Sequence, residues 1–263
     1  MTDTLTFAEN LAREAGQMLT SYFNLQGTST ATKEDKTLVT DADLAADSLI
    51  RDSIQSAFPD DHVLTEETGI TPPETDRPLW VIDPLDGTTN FSLGLHTWGV
   101  SIARLAGGYP KVAALYFPLF GELYSSRRGA GAFLNGQPLE INPAHAARRT
   151  AFFTCCSRTF RRYEVTVRYK TRILGSAAYD FCCVARGAAI AGFQATPKIW
   201  DIAAGWLVLE EAGGSAQLHS EGSPFPFRVK SGYQKVNYPT VMAANPDLGE
   251  KIRSQIARKN RND

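Results

Sequence analysis

Long apolar runs are missing from this chain of 263 residues. No stretch of 18 consecutive apolar residues occurs, which excludes a helical membrane span. No basic region followed by an apolar run opens the sequence, so no secretory signal is expected. An excess of one charge is lacking too. The 27 Lys and Arg residues against 28 Asp and Glu give a net charge of −1, so nothing marks the whole surface for nucleic acid or membrane. The local basic excess from Lys251 to Arg261 reads as a solvated terminal helix with a frayed end. Cysteine is scarce: four residues form two adjacent pairs, Cys155-Cys156 and Cys182-Cys183. Neither pair has C-x-x-C spacing and adjacent cysteines rarely bridge, so they read as buried reduced thiols of a cytoplasmic protein, against a zinc site. Gly129-Ala130-Gly131-Ala132 lacks the strand-then-helix setting and the G-K-[ST] ending of a nucleotide loop, and reads as a hairpin turn. Arg127-Arg128 is too short for a nucleic-acid patch.

A 43% hydrophobic content remains, enough for one large core or two smaller ones. Ala8, Leu11, Ala12, Ala15, Met18, Leu19 and Tyr22 share one helical face. Gly27 to Lys36 reads as a mobile hairpin or loop carrying Lys33, Glu34, Asp35 and Lys36. A second helix starts near Asp41–Asp43 and stops at Phe58-Pro59. Strands are expected at Val63-Leu64, Leu79–Ile82, Trp98–Leu105, Lys111–Phe117 and Gly121–Ser126, with a turn-rich hairpin at Gly129–Gly136. The first half, to about Pro143, is thus two helices on an antiparallel sheet. The second half alternates: strands at Phe152–Cys155, Arg172–Leu174, Ala188–Phe193 and Val241–Ala243, helices at Ala177–Ala185, Ile202–Ala212 and from Asp247. Arg161–Tyr169 reads as helix or loop. Two domains are expected, 1–145 and 146–263, sharing a close interface.

The segment Trp80-Val81-Ile82-Asp83-Pro84-Leu85-Asp86-Gly87-Thr88-Thr89-Asn90-Phe91 carries the most chemistry. An apolar strand delivers two aspartates three residues apart, with Pro84 fixing the backbone between them and Gly87 allowing a sharp turn. Two such carboxylates cannot both be buried unless cations neutralise them, and hard oxygen ligands suit Mg²⁺. The N–H groups of Gly87, Thr88 and Thr89 are placed to cradle a phosphate. An Asx-type turn at a strand end is the simpler reading of the same letters. Likewise Asp43 and Asp201 could be helix N-caps, and Glu66-Glu67 an exposed acidic turn.

The segment resembles the signature of the inositol monophosphatase family of Mg²⁺-dependent, lithium-sensitive phosphatases. Three further stretches match in order: Leu38-Val39-Thr40-Asp41-Ala42-Asp43, Thr65-Glu66-Glu67-Thr68-Gly69, and Trp200-Asp201-Ile202-Ala203-Ala204-Gly205 ending in Glu211-Ala212-Gly213-Gly214. The fold implied is α+β, a layered α-β-α-β-α sandwich in a homodimer. The resemblance implies two to three Mg²⁺ ions per site. Glu66 and Asp83 with the carbonyl of Leu85 would hold one, and Asp83 would bridge to a second held by Asp86 and Asp201. Glu67 stands behind them or near a weaker third ion. Asp43 and Thr88 match the pair that activates the attacking water, with Glu66 also counted among the catalytic groups.

Metals about 3.5–4 Å apart lower the pKa of a bound water and stabilise a departing alkoxide. None of His62, His96, His145 and His219 lies in a motif, and neither C-x₅-R nor Ser-His-Asp is visible, in keeping with direct in-line attack by water. Gly175-Ser176-Ala177 resembles the turn that meets the substrate ring, with packing as its simpler reading. Gln194 stands seven residues before Asp201, where inositol-specific members carry glutamate; it keeps a hydrogen-bonding group without the charge. Lys198 falls near the pocket, and Thr37 stands where many members have aspartate. The expected substrate is a small phosphorylated metabolite, inositol-1-phosphate first. Histidinol phosphate, fructose 1,6-bisphosphate and 3′-phosphoadenosine 5′-phosphate are the alternatives. A regulatory binding protein on the same scaffold is the rival of another class; no nucleic-acid or membrane partner is expected.

Overall fold

The computed structural model of the chain describes residues 3–32, 38–68, 76–142 and 151–259. Lys33 to Lys36, Thr37, Gly69, His145 and Arg261, all singled out above, lie outside the described residues.

The first apolar face becomes α1 (Thr4–Tyr22), which buries Ala8, Leu11, Ala12, Ala15 and Leu19 and starts from the N-cap Asp3. Short β1 (Ala31–Thr32) and β2 (Leu38–Val39) pair antiparallel before α2 (Asp41–Ala57). Then come β3 (His62–Thr65), β4 (Leu79–Asp86), α3 (Thr88–Ser92), β5 (Gly99–Ala106), β6 (Tyr109–Phe117), β7 (Glu122–Arg127), β8 (Ala132–Leu134) and β9 (Gln137–Leu139). The remaining elements are β10 (Phe152–Cys155), α4 (Thr159–Arg162), β11 (Tyr163–Val165), β12 (Lys170–Arg172), α5 (Ala177–Ala185), β13 (Ala189–Gln194), α6 (Ile199–Glu211), β14 (Ser215–Leu218), β15 (Thr240–Ala243), α7 (Pro246–Ser254) and β16 (Ile256–Arg258).

Among the described residues, β3 to β9 form one sheet in sequence order, and a second sheet runs β12-β10-β13-β15-β14. The layering is the expected α-β-α-β-α. α1 and α2 cover the outer face of the first sheet, α5 and α6 lie between the sheets, and α7 covers the far face of the second. Side-chain alternation makes this possible. Along β4, Trp80 and Ile82 join the core under α1 and α2, while Leu79 and Val81 join the core with α5 and α6. In β15, Met242 faces the central helices, while Val241 and Ala243 face the core with Ile252 of α7. A strand buried on both faces has no polar side, hence the unbroken apolar run that announced it.

Several local expectations change. The first sheet is not wholly antiparallel, because β3 and β4 pair in parallel. β4 does not stop at Ile82 but continues through Asp86, with a register irregularity between Asp83 and Asp86. Arg161–Tyr169 is not a single helix or loop: α4 ends at Arg162 and β11 follows. The strand expected at Arg172–Leu174 lies two residues earlier, as β12. The turn-rich hairpin holds strand β8; the basic stretch begins in α7, as a terminal helix, and Ile256–Arg258 beyond it form β16, paired antiparallel with β11. β11 and β16 are stabilised by pairing with each other across most of the second half of the chain, and their own composition carries no trace of it, whereas β8 pairs with its neighbours β7 and β9. The four cysteines are free thiols, Cys155, Cys182 and Cys183 buried and Cys156 partly so.

Candidate metal and phosphate site

Parallel pairing of β3 with β4 sets the first contact of the site. Thr65 stands opposite Ile82, and Glu66 N–H donates to Ile82 O at 3.2 Å, which carries Glu66 alongside Asp83. Thr65 Oγ1 lies 2.8 Å from Thr68 Oγ1 and accepts from Thr68 N–H at 3.2 Å, turning the chain after the glutamates. From the other half of the chain, α6 packs on the strands of the first sheet, and Ser101 Oγ of β5 donates to Trp200 O at 3.5 Å. Ser101 is the cross-strand partner of Asp83, so the contact brings Asp201, next to Trp200, to the same place. Glu66, Asp83 and Asp201 each offer a carboxylate oxygen, all within 4.8 Å of one another.

Three converging carboxylates are unfavourable without compensation. Burial first, then the negative charges of Glu66, Asp86, Asp201 and Glu67, push the Asp83 carboxyl well above the usual carboxylate range. Asp201 is pushed up in the same direction by burial and by Glu66 and Asp86, with Lys198 opposing. Burial raises Asp86 to about 6, against the pull of hydrogen bonds from Ser176, Ala178 and Ala177. Neutralisation must come from protons or cations. An all-oxygen, all-carboxylate donor set fits a hard divalent cation such as Mg²⁺.

Asp86 lies beside the trio but is turned to the start of α5. Ser176 Oγ donates to its Oδ2, Ala178 N–H to Oδ2 at 3.1 Å, and Ala177 N–H to Oδ1 at 3.2 Å. The Gly175-Ser176-Ala177 turn is therefore joined to the aspartate pair. Asn90, to which sequence reading assigned no role, joins them from the other side: its Nδ2 donates to Thr97 O at 2.7 Å and Leu174 O at 2.8 Å. Gly175 has φ +81°, and a Cβ there would lie 2.7 Å from the Asn90 amide. Gly87 has φ +94°, and its Cβ would stand 2.8 Å from Thr97 O. Both glycines are required by backbone conformation and by lack of room.

Some of the simpler readings are present alongside the functional ones. Leu85 N–H donates to Asp83 Oδ1 at 3.1 Å, which is an Asx turn. Asp43 is not the N-cap of α2. Thr40 is, and Asp43 occupies the third helical position of a capping box, accepting from Thr40 N–H at 2.7 Å and Thr40 Oγ1 at 2.5 Å. Asp201 likewise sits at the third position of α6 and accepts from Lys198 N–H at 2.7 Å. In each aspartate only one oxygen is spent on the cap. The other oxygen of Asp43, Oδ1, accepts from Thr88 Oγ1 at 3.1 Å. Thr88 Oγ1 is also 3.1 Å from Leu85 O, so one hydroxyl links Asp43 to the aspartate turn.

A cavity of about 220 Å³ opens beside the cluster, lined among others by Gly175, Ser176, Ala177, Gln194 and Asp201. That is below the range of drug-sized pockets and suits a small metabolite. Asp180, read only as part of a helix, also lines it. Burial raises its carboxyl to about 8 in spite of hydrogen bonds from Thr154 and Gln194. The signal available in the sequence was a lone charge in the otherwise apolar run Ala177–Ala185. No helix among the described residues is long and apolar enough to cross a membrane.

Comparison with known proteins gives the following. A sequence profile of the inositol monophosphatase family matches residues 1–255. A protein named Nus factor SuhB from Pasteurella multocida (strain Pm70) is 35% identical over 267 residues, covering 97% of this chain and 96% of that protein. A histidinol-phosphatase from Chlorobaculum parvum is 35% identical over 221 residues, covering 81% and 85%. The solved structure of the Thermotoga maritima IMPase aligns with a TM-score of 0.79 at 28% identity, covering 96% of this chain and 97% of that one.

Proposed function

The chain belongs to the inositol monophosphatase family, and we propose that it is a Mg²⁺-dependent phosphatase acting on a small soluble phosphomonoester, inositol-1-phosphate first. One observation carries the reading: Glu66, Asp83 and Asp201, far apart in sequence, present oxygens within 4.8 Å of one another. The residues that would hold two to three ions are Glu66, Asp83, Asp86 and Asp201 with the carbonyl of Leu85, and Glu67 stands behind them. Mg²⁺ bound there would supply Lewis-acid activation of water and of the phosphoryl oxygens.

The chain's own groups have separate tasks. Asp43 Oδ1, with Thr88 Oγ1 against it, orients the attacking water and accepts its proton. The N–H groups of Gly87, Thr88 and Thr89 face the phosphate. Gly175, Ser176, Ala177 and Gln194 meet the alcohol part of the ester, with Asp201 at the junction. Attack is in line, from water, with no phosphoenzyme. The same reading makes the protein cytoplasmic and a homodimer, with domains 1–145 and 146–263 closing on the site.

Phosphate release from inositol-1-phosphate, histidinol phosphate, fructose 1,6-bisphosphate and 3′-phosphoadenosine 5′-phosphate, with Mg²⁺ and with EDTA, tests the reading. Mg²⁺-dependent release from at least one, inhibited by Li⁺, is expected. A second reading, a regulatory binding role, is supported by the name Nus factor borne by the Pasteurella relative. No release from any ester, together with partner binding unaltered in Asp83→Asn, would favour it.

A further inference from the structure

The chain carries a cationic surface that the phosphate chemistry does not use. Between Arg158 and Arg172, six Arg or Lys residues stand against a single acid, Glu164, although the whole chain has a net charge of −1. Arg158 precedes α4, and Arg161 and Arg162 lie three and four positions further on, so the three share one side of that turn. Arg162 N–H donates to Arg158 O at 3.2 Å, which closes the turn. β16 brings two more cations alongside. Lys259 N–H donates to Arg162 O at 3.0 Å, and Arg258 stands opposite Tyr163 in the ribbon with β11. Glu164 is opposite Ala257, on the other face of that ribbon.

Arg158, Arg161, Arg162, Arg258 and Lys259 are all exposed. None of the five forms an ion pair among the described residues, whereas Arg127, Arg128 and Arg253, which also reach solvent, each pair with a carboxylate. Burial raises the Tyr163 phenol while Arg258 and Arg162 both pull against it, so the two guanidinium groups act on the same ring. One end of this face reaches the cavity. Arg158 lines it, and Arg158 Nη1 donates to Thr196 Oγ1, also in the lining, at 3.2 Å. Like charges gathered without partners repel one another, and an anion arriving among them relieves that repulsion.

We propose that this face, running from the cavity mouth over α4 to β16, collects the substrate and favours one class: esters with an anionic group besides the phosphate that is cleaved, such as sugar and nucleotide bisphosphates. With the reacting phosphate at the carboxylate cluster, a second anionic group directed to the mouth enters the field of Arg158 and of the cations behind it. A field of one sign at the edge of a cleft raises the local concentration of the opposite charge. It acts on binding rather than on the chemical step. It also fades with salt, because the Debye length falls from about 30 Å at 0.01 M to about 10 Å at 0.1 M. An inositol ring offers the mouth only hydroxyl groups and gains less, and the ammonium group of histidinol phosphate is repelled. The inference rests on the phosphatase reading.

The experiment measures kcat and KM at saturating Mg²⁺ for fructose 1,6-bisphosphate, 3′-phosphoadenosine 5′-phosphate, inositol-1-phosphate and histidinol phosphate, at about 0.02 M and about 0.5 M KCl. The proteins are the wild type, Arg161→Gln/Arg162→Gln, Arg258→Gln/Lys259→Gln and the variant that combines all four changes. At low KCl, KM for the bisphosphates is expected to rise about two- to three-fold in each double variant and about five-fold or more in the combined one, with kcat within about two-fold. KM for inositol-1-phosphate should rise by less, and KM for histidinol phosphate should not rise. At high KCl every difference should shrink to within about two-fold. Arg258→Gln/Lys259→Gln carries the test if the α4 variant does not fold. A KM change equal for all esters, a change that survives high KCl, or no change at all would overturn the inference, as would a loss confined to kcat. Wild type that turns over inositol-1-phosphate but neither bisphosphate would overturn it too. Wild type inactive on every ester removes the phosphatase reading and the inference with it, an outcome distinct from an active enzyme whose KM ignores charge.

Discussion

Thr88 Oγ1 and Asp43 Oδ1 meet at 3.1 Å although 45 residues of chain separate them. α2 contributes the acid and the turn after β4 contributes the hydroxyl. The Asp43 carboxylate is divided: Oδ2 is fixed by the Thr40 cap, and Oδ1 is left for Thr88. A cap that uses one oxygen and leaves the other to Thr88 would hold the proposed general base in place at no added structural expense.

Removing either partner should therefore act on the chemical step. Thr88→Ala and Asp43→Asn are each expected to lower kcat about 10²- to 10⁴-fold with KM changed little, while Thr88→Ser retains most activity. Steady-state kinetics with saturating Mg²⁺ checks this; a rise in KM at unchanged kcat would assign the pair to binding instead.

The carboxylate cluster predicts how stability and metal affinity depend on pH. Asp83 and Asp201 are pushed upward, Asp86 to about 6 and Asp180 to about 8. Each native group holds its proton above the unfolded pKa of about 4, so the native state binds more protons between about pH 4 and 8. Their contribution is fully present below about pH 4 and is lost as pH rises through the native values. In EDTA, the denaturant midpoint should fall from pH 5 to pH 8.5, and Mg²⁺ should restore more of it at pH 8 than at pH 5, because ligands must shed protons to bind. A midpoint that is flat or rises with pH in EDTA would contradict the assignment.

Asn90 ties the aspartate turn to the Gly175 turn through two carbonyls. Asn90→Ala leaves both without that donor and is expected to cost about 2–3 kcal/mol in urea unfolding, with a raised KM. Stability within about 0.5 kcal/mol of wild type would show that the strap is not structural.

Gly87→Ala places a Cβ 2.8 Å from Thr97 O on a backbone with φ +94°. A loss of about 1–3 kcal/mol is expected from strain alone, and more from the clash. A thermal midpoint unchanged by the substitution would mean that the turn has an alternative conformation.

Much of this was legible in the letters. The apolar runs around Leu79–Ile82 and Ala177–Ala185 announced strand and helix because burial on both faces leaves almost no polar residues to interrupt them, Asp180 being the exception in the helix. The four motifs pointed to a shared site only through their joint family resemblance, and the structure does gather Glu66, Asp83 and Asp201. What stayed hidden was pairing. The parallel register of β3 on β4 puts Glu66 beside Asp83, and β11 with β16 joins residues about ninety positions apart. Both depend on contacts that composition does not encode. Asp180 was passed over because its partners, Thr154 and Gln194, lie on two other strands. Asn90 stood inside the motif, but its acceptors are carbonyls, which every residue has.

The most direct test is the initial rate of phosphate release from the ester panel by wild type and Asp83→Asn, at equal protein and saturating Mg²⁺. Wild-type turnover that is abolished by EDTA and reduced at least about 10³-fold in a folded Asp83→Asn is the predicted result. An Asp83→Asn protein that keeps wild-type turnover, or keeps it in EDTA, would contradict the account at its centre.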